Sequence, residues 1–288
     1  MEGSKILILG AEGQLGKQFQ KELKLRGVNY IALNKIDCDI TQFDNVKRII
    51  GTISPELIIN CAAYNSVDNA ELNADLAYMV NHKAVENIAQ ICNRDGIFFV
   101  HYSTDYVFDG QKDDLYFEDD ITNPLNVYGK SKLAGERAIL DVLTNHLIIR
   151  PSWVYGEGNQ SFIVNLLKWA SMSRVIKISS DQASIPTSTY DIVQVTLNLI
   201  DKQKTGLFHV TNSNYCSRYE WSRFILETLN MNNIVIPVSI FTFESSAQRP
   251  LFTPMSNDKV CTTLNNNIPD WRISMKEFLL HNFQNIKY

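Results

Sequence analysis

Residues 5–16 read KILILGAEGQLG, an apolar run followed at once by three glycines spaced three residues apart. The apolar residues have the length of a buried strand, and the residues after Gly13 have the pattern of an amphipathic helix. A strand, a glycine turn and a helix in direct succession are the first half of a strand-helix-strand unit. This stretch therefore predicts that the chain opens with a unit of a parallel sheet.

The three glycines also indicate a site for a dinucleotide. In this context Gly10 permits the tight turn, Gly13 lets the backbone approach a pyrophosphate, and Gly16 allows close packing of helix on strand. Diphosphate oxygens would contact the start of the helix at Gln14 and Leu15, where the positive end of the dipole lies. The spacing differs slightly from the commoner Gly-x-Gly-x-x-Gly, and a purely structural turn would use glycine as well.

The rest of the first half alternates in the same way. Apolar runs of strand length alternate with amphipathic segments of helix length, which is typical of a parallel sheet with helices on both faces. The predicted strands are 6–9, 30–33, 57–60, 97–102 and 146–150, and the predicted helices are 15–26, 43–51, 74–94 and 128–143. The expected fold class is α/β, a Rossmann-type doubly wound parallel sheet.

The second half has a looser pattern, which predicts a smaller mixed α/β domain. Its predicted helices are 160–172, 190–202, 219–229 and 275–283, and its predicted strands are 175–178 and 207–210; asparagine-rich turns are expected at 230–233 and 265–267. We predict a dinucleotide-binding domain of residues 1–152 plus about 187–212, and a substrate-binding domain of residues 153–186 and 213–288.

The composition favours small-molecule chemistry. The chain has 288 residues, 45% of them hydrophobic, and a net charge of −4 without a long basic or acidic block, so neither nucleic acid nor a membrane is an expected partner. Its five cysteines show no metal-ligand spacing and are expected to be reduced and mostly buried, and the five histidines are expected to be structural or on the surface. No metal site is predicted. The start of the chain lacks the pattern of a signal peptide, and a cytoplasmic location is expected.

The segment after the second strand contains the candidates for contact with the adenosine ribose. Asp39 and Ile40 stand where such a residue is usually found, although Asp39 could instead cap the helix that follows Thr41. An acidic residue suits the free ribose hydroxyl of NADH, whereas Lys35 could accept the 2′-phosphate of NADPH. The choice between the two cofactors stays open at this point.

Tyr128 and Lys132 are four residues apart in a predicted helix, so both side chains share one helical face. An ammonium about 4 Å from the phenolic oxygen stabilises the phenolate by roughly 4 kcal/mol at an effective dielectric constant of ~20. That would lower the tyrosine pKa by about three units, toward neutrality. Such a tyrosine could exchange a proton with a substrate oxygen, but the pattern is also common by chance on ordinary helix surfaces.

Further segments, taken together with the glycine loop and the spacing of Tyr128 and Lys132, indicate a resemblance to a known family. Residues 60–64 (NCAAY) end a predicted strand with small residues that would let a cofactor lie against the backbone, and residues 103–110 (STDYVFDG) end another. With the glycine loop and the Tyr128 motif, these segments resemble the extended short-chain dehydrogenase/reductase family over essentially the whole chain. The resemblance is strongest to the branch that reduces dTDP-4-dehydro-L-rhamnose, through the segments 67–71, 152–156 (SWVYG), 181–187, 249–250 and 255–259 (MSNDK).

The resemblance implies a catalytic triad of Thr104, Tyr128 and Lys132. Hydride from NADPH or NADH would reduce the C4 ketone of the dTDP-linked sugar while Tyr128 protonates the oxygen; Thr104 would hydrogen-bond that oxygen, and Lys132 would bind ribose hydroxyls. The other cofactor contacts implied are Ala62, Ala63, Tyr64, Asn81 and Ser103, and the other substrate contacts are Asp105, Trp153, Gln182 and Arg249. A homodimer is also compatible with the resemblance. Arg249 could instead anchor a loop, and Trp153 could be a structural residue at the domain seam.

Two departures from related patterns bear on the reaction. Related dehydratases carry two acidic residues after the threonine, whereas here Asp105 is followed by Tyr106, so simple reduction is expected. Tyr64 stands where the reductases often have histidine, which leaves the fine geometry of the nicotinamide site open. Two alternatives remain: a reductase of another nucleotide-linked 4-keto-6-deoxyhexose, and a non-catalytic nucleotide-binding regulatory subunit.

Overall fold

A computed structural model of the protein describes residues 5–158 and 162–283. The first two residues of the predicted helix 160–172 therefore lie outside the described residues. The strands, in chain order, are β1 (Ile6–Leu9), β2 (Tyr30–Leu33), β3 (Leu57–Asn60), β4 (Phe98–Tyr102), β5 (His146–Arg150), β6 (Val154–Tyr155), β7 (Val175–Ser179), β8 (Ala183–Ser184), β9 (Thr187–Ser188), β10 (Gly206–His209), β11 (Cys216–Ser217) and β12 (Ile234–Val238).

The helices are α1 (Gln14–Leu25), α2 (Phe43–Ile53), α3 (Val67–Leu72), α4 (Ala74–Tyr78), α5 (Ala84–Asp95), α6 (Val127–Val142), α7 (Phe162–Met172), α8 (Thr189–Asp201), α9 (Arg218–Thr228), α10 (Asp258–Leu264) and α11 (Trp271–Phe283). A π-helical segment, Met79–Lys83, joins α4 to α5, so the predicted helix 74–94 is interrupted. Short 3-10 turns occur at Asp105–Val107 and Ile240–Thr242. No helix within the described ranges is long and apolar enough to cross a membrane.

The central sheet has six strands in the order β10-β5-β4-β3-β1-β2, all paired in parallel. The predicted fold class, a doubly wound parallel sheet, is confirmed. The chain runs from β1 to β2 on one side and then returns to place β3 on the other. The strand order therefore reverses between β1 and β3, and ligands of such folds bind beside the carboxyl ends of the strands at this point.

Both faces of the sheet are buried, which explains why its strands are apolar runs without alternation. Along β1, Ile6 and Ile8 face one core with α1 and α8, while Leu7 and Leu9 face the other core with α2 and α5. Burial on both faces fixes the strands rigidly. The loops at their carboxyl ends are therefore held in defined positions.

The second region has its own core, built on aromatic side chains. Trp221 and Trp271 are almost completely buried and lie in a cluster with Tyr155, α7 and α9. Three small two-stranded sheets, β7 with β12, β8 with β11 and β6 with β9, tie this region together. Residues 187–212 contribute β10 to the central sheet and α8 to its face. The domain boundaries given above stay a prediction.

The cysteines and the asparagine turns agree with expectation. All five cysteines are free thiols, and three of them, Cys38, Cys92 and Cys216, are buried. Asn230 and Asn265 adopt the left-handed conformation at which a helix ends. β12 was not predicted from the sequence, because its exposed residues and Pro237 hide the strand pattern.

Candidate active site

A first cleft of about 390 Å³ lies at the carboxyl ends of β1, β2 and β3, where the strand order reverses. The glycine loop after β1 predicts a dinucleotide-binding site at this point. Seven of the predicted cofactor residues line the cleft: Gly10, Gly13, Asp39, Ile40, Ala62, Ala63 and Tyr64. The structure thus brings together residues that are far apart in sequence.

The glycines allow the backbone itself to line this cleft. Gly10 has a φ of +82°, and a Cβ there would lie 2.6 Å from the Ala62 nitrogen. A Cβ on Gly16 would lie 2.3 Å from the Gly10 oxygen. Gly13 is the N-cap of α1 and provides no side chain to occupy the amides of the first turn, which Gln14 and Leu15 begin. The positive end of α1 lies at this glycine cradle, and the residues fit a pyrophosphate.

Asp39 lines the cleft and also makes hydrogen bonds within its own turn. Its Oδ1 accepts hydrogen bonds from the Thr41 amide at 3.0 Å and from the Thr41 hydroxyl at 2.7 Å, so Asp39 stabilises its own turn as well as lining the cleft. Desolvation by burial raises the pKa of Asp39, but the hydrogen bonds from Thr41 lower it by more, so the pKa lies below its ordinary value. Lys35 lines the same cleft and is exposed.

Asn81 supports the wall of the cleft through hydrogen bonds to the backbone of Tyr64. Its side chain is buried in the π-helical segment, accepts a hydrogen bond from the Tyr64 amide at 2.8 Å and donates to the Tyr64 carbonyl at 3.0 Å. It also donates to the Ser131 hydroxyl at 3.0 Å. Asn81 therefore holds Tyr64 and α6 in place, and its expected role as a contact of the cofactor stays a prediction. π-helical insertions of this kind often occur at functional sites.

The catalytic candidates meet where β4 ends and α6 begins. Thr104 follows β4 and caps the turn Asp105–Val107 by accepting from the Tyr106 amide at 3.2 Å. Tyr128 stands in the first turn of α6, whose N-cap Asn126 accepts from the Gly129 amide at 2.8 Å. A Cβ on Gly129 would lie 2.2 Å from the Tyr106 oxygen, so glycine is required for α6 to approach this turn.

The expected lowering of the Tyr128 pKa is wrong for the protein alone. Burial raises the pKa of Tyr128, and a hydrogen bond with Thr104 offsets this only in part. Tyr128 and Lys132 are both in α6, but the Lys132 Nζ is directed toward the Tyr102 carbonyl and the His101 ring. Tyr128 is therefore a neutral phenol through the physiological pH range, which is the form that donates a proton.

Lys132 is buried below the site. Its Nζ donates to the Tyr102 carbonyl and lies 3.4 Å from His101 Nε2. Burial lowers the pKa of Lys132 to about 8, and the negative charge of Glu136 opposes this shift. Nearby, Ser103 carries a buried hydroxyl without a protein partner among the described residues, which fits a polar ligand group at the end of β4.

Asp105 is buried and is not among the residues that line either of the two clefts. Its Oδ1 accepts from the Thr104 hydroxyl at 3.2 Å, and its Oδ2 accepts from Ser184 at 3.0 Å and from Thr253 at 2.6 Å. Burial raises the pKa of Asp105, against the effect of these three donors. Both carboxylate oxygens already accept hydrogen bonds within the protein, one of them from Thr104. Direct contact of Asp105 with the substrate stays a prediction.

A second cleft of about 830 Å³ is lined by Tyr106, which follows β4, and mainly by residues of the second region. It reaches the catalytic candidates at Tyr106, whose ring lies 6.0 Å from that of Tyr128 in an edge-to-face arrangement. The predicted substrate residues Gln182 and Arg249 line it. Arg249 is held by Asp68, with Nη1 3.1 Å from Oδ1, and this contact lowers the pKa of Asp68 to about 2.

Arg218 is a residue that the sequence reasoning missed. Its guanidinium lies 3.6 Å from the centre of the Trp153 ring and lines the second cleft. Burial lowers the pKa of Arg218 to about 10, so it stays charged at neutral pH. One signal was present: Ser217 and Glu220 form a capping box, which puts Arg218 in the first helical turn, where a cation opposes the helix dipole.

Trp153 is packed into the seam between the two regions. Its ring stacks on Trp221 at 5.5 Å and lies under Arg218, and its φ of 37° is strained for a bulky residue. It is not among the residues that line the second cleft. These contacts agree with the alternative that Trp153 is a structural residue at the domain seam. A contact with the sugar stays a prediction.

Comparison with known proteins identifies the family. Residues 4–283 match the family model described as the RmlD substrate binding domain. A spore coat polysaccharide biosynthesis protein, SpsK, from Bacillus subtilis (strain 168) is 34% identical over 276 residues, which cover 96% of this chain and 97% of the relative. A dTDP-4-dehydrorhamnose reductase from Aggregatibacter actinomycetemcomitans is 35% identical over 286 residues, which cover 95% and 97%.

Among solved structures, a dTDP-4-dehydrorhamnose reductase from Bacillus anthracis str. Ames in complex with NADP superposes with a TM-score of 0.94. It is 33% identical and covers 97% of this chain and 99% of its own. The resemblance inferred from the sequence motifs is thereby confirmed. The chain belongs to the RmlD substrate binding domain family, within the extended short-chain dehydrogenases/reductases.

Proposed function

We propose that this chain reduces the C4 ketone of dTDP-4-dehydro-L-rhamnose to give dTDP-L-rhamnose. The observation that carries the proposal is the position of Tyr128, a neutral phenol that shares a hydrogen bond with Thr104 and whose ring lies 6.0 Å from that of Tyr106 in the wall of the second cleft. Relatives over the full length of the chain are dTDP-4-dehydrorhamnose reductases. The direct test is consumption of NADPH or NADH when the purified protein meets this substrate.

The first cleft suits a nicotinamide dinucleotide. The glycine cradle and the start of α1 would hold the pyrophosphate, residues 62–64 would lie along the cofactor, and Ser103 and Lys132 would face its nicotinamide end. When bound, the reduced cofactor supplies the hydride. The chain has to orient the ketone, exclude water and deliver one proton.

The proton comes from Tyr128 in this proposal. Its hydroxyl donates to the substrate oxygen as negative charge develops there, and the phenolate that results regains a proton from solvent. Thr104 fixes the phenol, and its own hydroxyl is fixed by Asp105. Tyr106 stands in place of a second acid, and burial raises the pKa of its phenol, so it does not replace the carboxylate base that dehydration requires.

The second cleft would hold the nucleotide diphosphate through Arg218. Arg249 is already paired with Asp68, whereas the guanidinium of Arg218 rests on an aromatic ring. A guanidinium can bind two diphosphate oxygens at once. The apolar wall, which includes Phe162, Trp169 and Phe243, would face the base.

Replacement of Arg218 by methionine tests this assignment. Methionine keeps contact with Trp153 but removes the charge, and a hydrogen bond to a charged group contributes about 1.5–3 kcal/mol. We therefore expect the KM for the nucleotide sugar to rise roughly 10- to 100-fold, with a smaller change in kcat. Arg223→Met, an exposed arginine of the same helix, is the control. An unchanged KM in Arg218→Met would exclude Arg218 from the diphosphate site.

Lys35 provides a test of the cofactor preference. Because Asp39 is occupied by Thr41 and Lys35 lines the cleft, we propose that a 2′-phosphate is accepted here and that NADPH is preferred. Lys35→Ala should raise the KM for NADPH about 2- to 5-fold, as expected for loss of one exposed charge contact. The KM for NADH should not change, and Lys276→Ala, on the surface of α11, should alter neither. Equal losses for both cofactors would contradict this role.

The proposal also covers the location and the oligomeric state of the protein. We propose that it works in the cytoplasm and that it forms a homodimer. Light scattering of the purified chain measures the oligomeric state. A monomer at all concentrations would contradict it.

A further inference from the structure

Lys132 is held by a line of hydrogen bonds that runs back through His101 to Asn60. His101 is 1% exposed, and its ring stacks on Phe99 with centroids 6.1 Å apart. Its Nδ1 lies 3.2 Å from Asn60 Nδ2, and its Nε2 lies 3.4 Å from Lys132 Nζ. The sequence predicts that His101 is structural or on the surface, and the structure places its ring next to the catalytic candidate Lys132.

The orientation of Asn60 determines which nitrogen of His101 carries the proton. Asn60 Oδ1 accepts a hydrogen bond from the Ala62 amide at 3.1 Å, so its Nδ2, which can only donate, faces the histidine. His101 Nδ1 must then be the acceptor. In a neutral imidazole the proton consequently lies on Nε2, pointing at Lys132.

A ring N–H opposite Lys132 disfavours the ammonium form of that side chain. An ammonium has three donors and no lone pair, so it cannot accept from Nε2–H, whereas a neutral amine can. The neutral amine still donates to the Tyr102 carbonyl. The other charged group near Lys132 is Glu136 of α6, which favours the ammonium but is shared with the Arg150 guanidinium of β5.

We propose that Asn60 and His101 are positioning residues that disfavour the ammonium form of Lys132, so that before cofactor binds this side chain gives up its proton more readily than an ordinary lysine. The line from the Ala62 amide through Asn60 and His101 connects the wall of the first cleft to the lysine. The use of Lys132 in catalysis rests on the proposed function of the first cleft. The protonation of Lys132, in contrast, is a property of the protein without cofactor. Burial of both groups acts in the same direction, because it lowers the pKa of His101 as well as that of Lys132.

The tautomer of His101 can be measured without any variant. Nitrogen-15 spectra of the histidine rings in the protein without cofactor should show His101 with a bare Nδ1 and a protonated Nε2 across neutral pH. A proton on Nδ1, or an imidazolium, would overturn the proposal. This measurement does not depend on enzymatic activity, so a failure of the proposed reaction would leave its outcome unaffected.

The second measurement follows Lys132 itself. In protein labelled at lysine Cε, with the resonance assigned by its loss in Lys132→Met, Lys132 should titrate near pH 8, well below the ~10.4 of an ordinary lysine. His101→Gln can turn an amide oxygen toward Lys132, so the midpoint should rise by about one pH unit or more. His281→Gln, an exposed histidine of α11, should leave it unchanged. An unchanged midpoint in His101→Gln would overturn the proposal.

Discussion

Replacement of Tyr128 by phenylalanine should abolish turnover while cofactor binding persists. The change removes one hydroxyl from the site and leaves the ring against Tyr106. General acid catalysis by a positioned side chain contributes about 10²- to 10⁴-fold, and kcat should fall by that factor. Tyr190→Phe, which alters an exposed tyrosine of α8, should retain the activity of the unmodified protein. Binding of NADPH by Tyr128→Phe is measured by fluorescence titration.

The pH dependence provides a second readout of the same residue. Because burial raises the pKa of Tyr128 above its ordinary value, the donor form is fully present at low and neutral pH and is lost only as the pH rises through the raised pKa. Activity limited by Tyr128 should therefore show no loss between neutral and moderately alkaline pH in the protein. A difference in ultraviolet absorbance between the unmodified protein and Tyr128→Phe that shows a phenolate forming near neutral pH would contradict a neutral phenol.

Replacement of Glu136 by alanine should destabilise the protein severely. Glu136 and Arg150 form a bidentate pair between α6 and β5, with distances of 2.9 and 2.6 Å, and their side chains are 1% and 4% exposed. Removal of one partner leaves a buried charge without compensation, at a cost of about 3–5 kcal/mol in the free energy of unfolding. Urea denaturation at neutral pH measures the loss.

The cause of that loss can be separated from a loss of packing. The double replacement Glu136→Leu with Arg150→Met removes both charges, so it should be less destabilising than Glu136→Ala alone. Glu227→Ala breaks an exposed pair with Arg223 on α9 and should leave the denaturation midpoint nearly unchanged. If Glu136→Ala were as stable as Glu227→Ala, the pair would not anchor the catalytic helix.

The sequence was most informative where burial and glycine geometry leave little freedom. The central strands were found because a strand buried on both faces is an apolar run, as in Ile6–Leu9. The cleft at the β1–β3 switch followed from Gly10 and Gly16, whose close contacts exclude a side chain. Both features depend on local sequence, which explains why they could be predicted.

The parts that were missed depend on tertiary contacts. The spacing of Tyr128 and Lys132 indicated one helical face, but it could not show that the lysine nitrogen turns to Tyr102 and His101. The enclosure of Asp105 by Ser184 and Thr253 joins segments more than seventy residues away in the chain. The position of Arg218 over Trp153 likewise arises only when the second region packs against the sheet.

One assay tests the central claim most directly. The protein is incubated with dTDP-4-dehydro-L-rhamnose and NADPH deuterated at C4 of the nicotinamide, and the product is examined by NMR. We predict one deuterium at C4 of the sugar and the configuration of dTDP-L-rhamnose, with no product from Tyr128→Phe. Oxidation that yields the other configuration at C4 would contradict the assigned substrate, and an absence of oxidation with both NADPH and NADH would contradict catalysis itself.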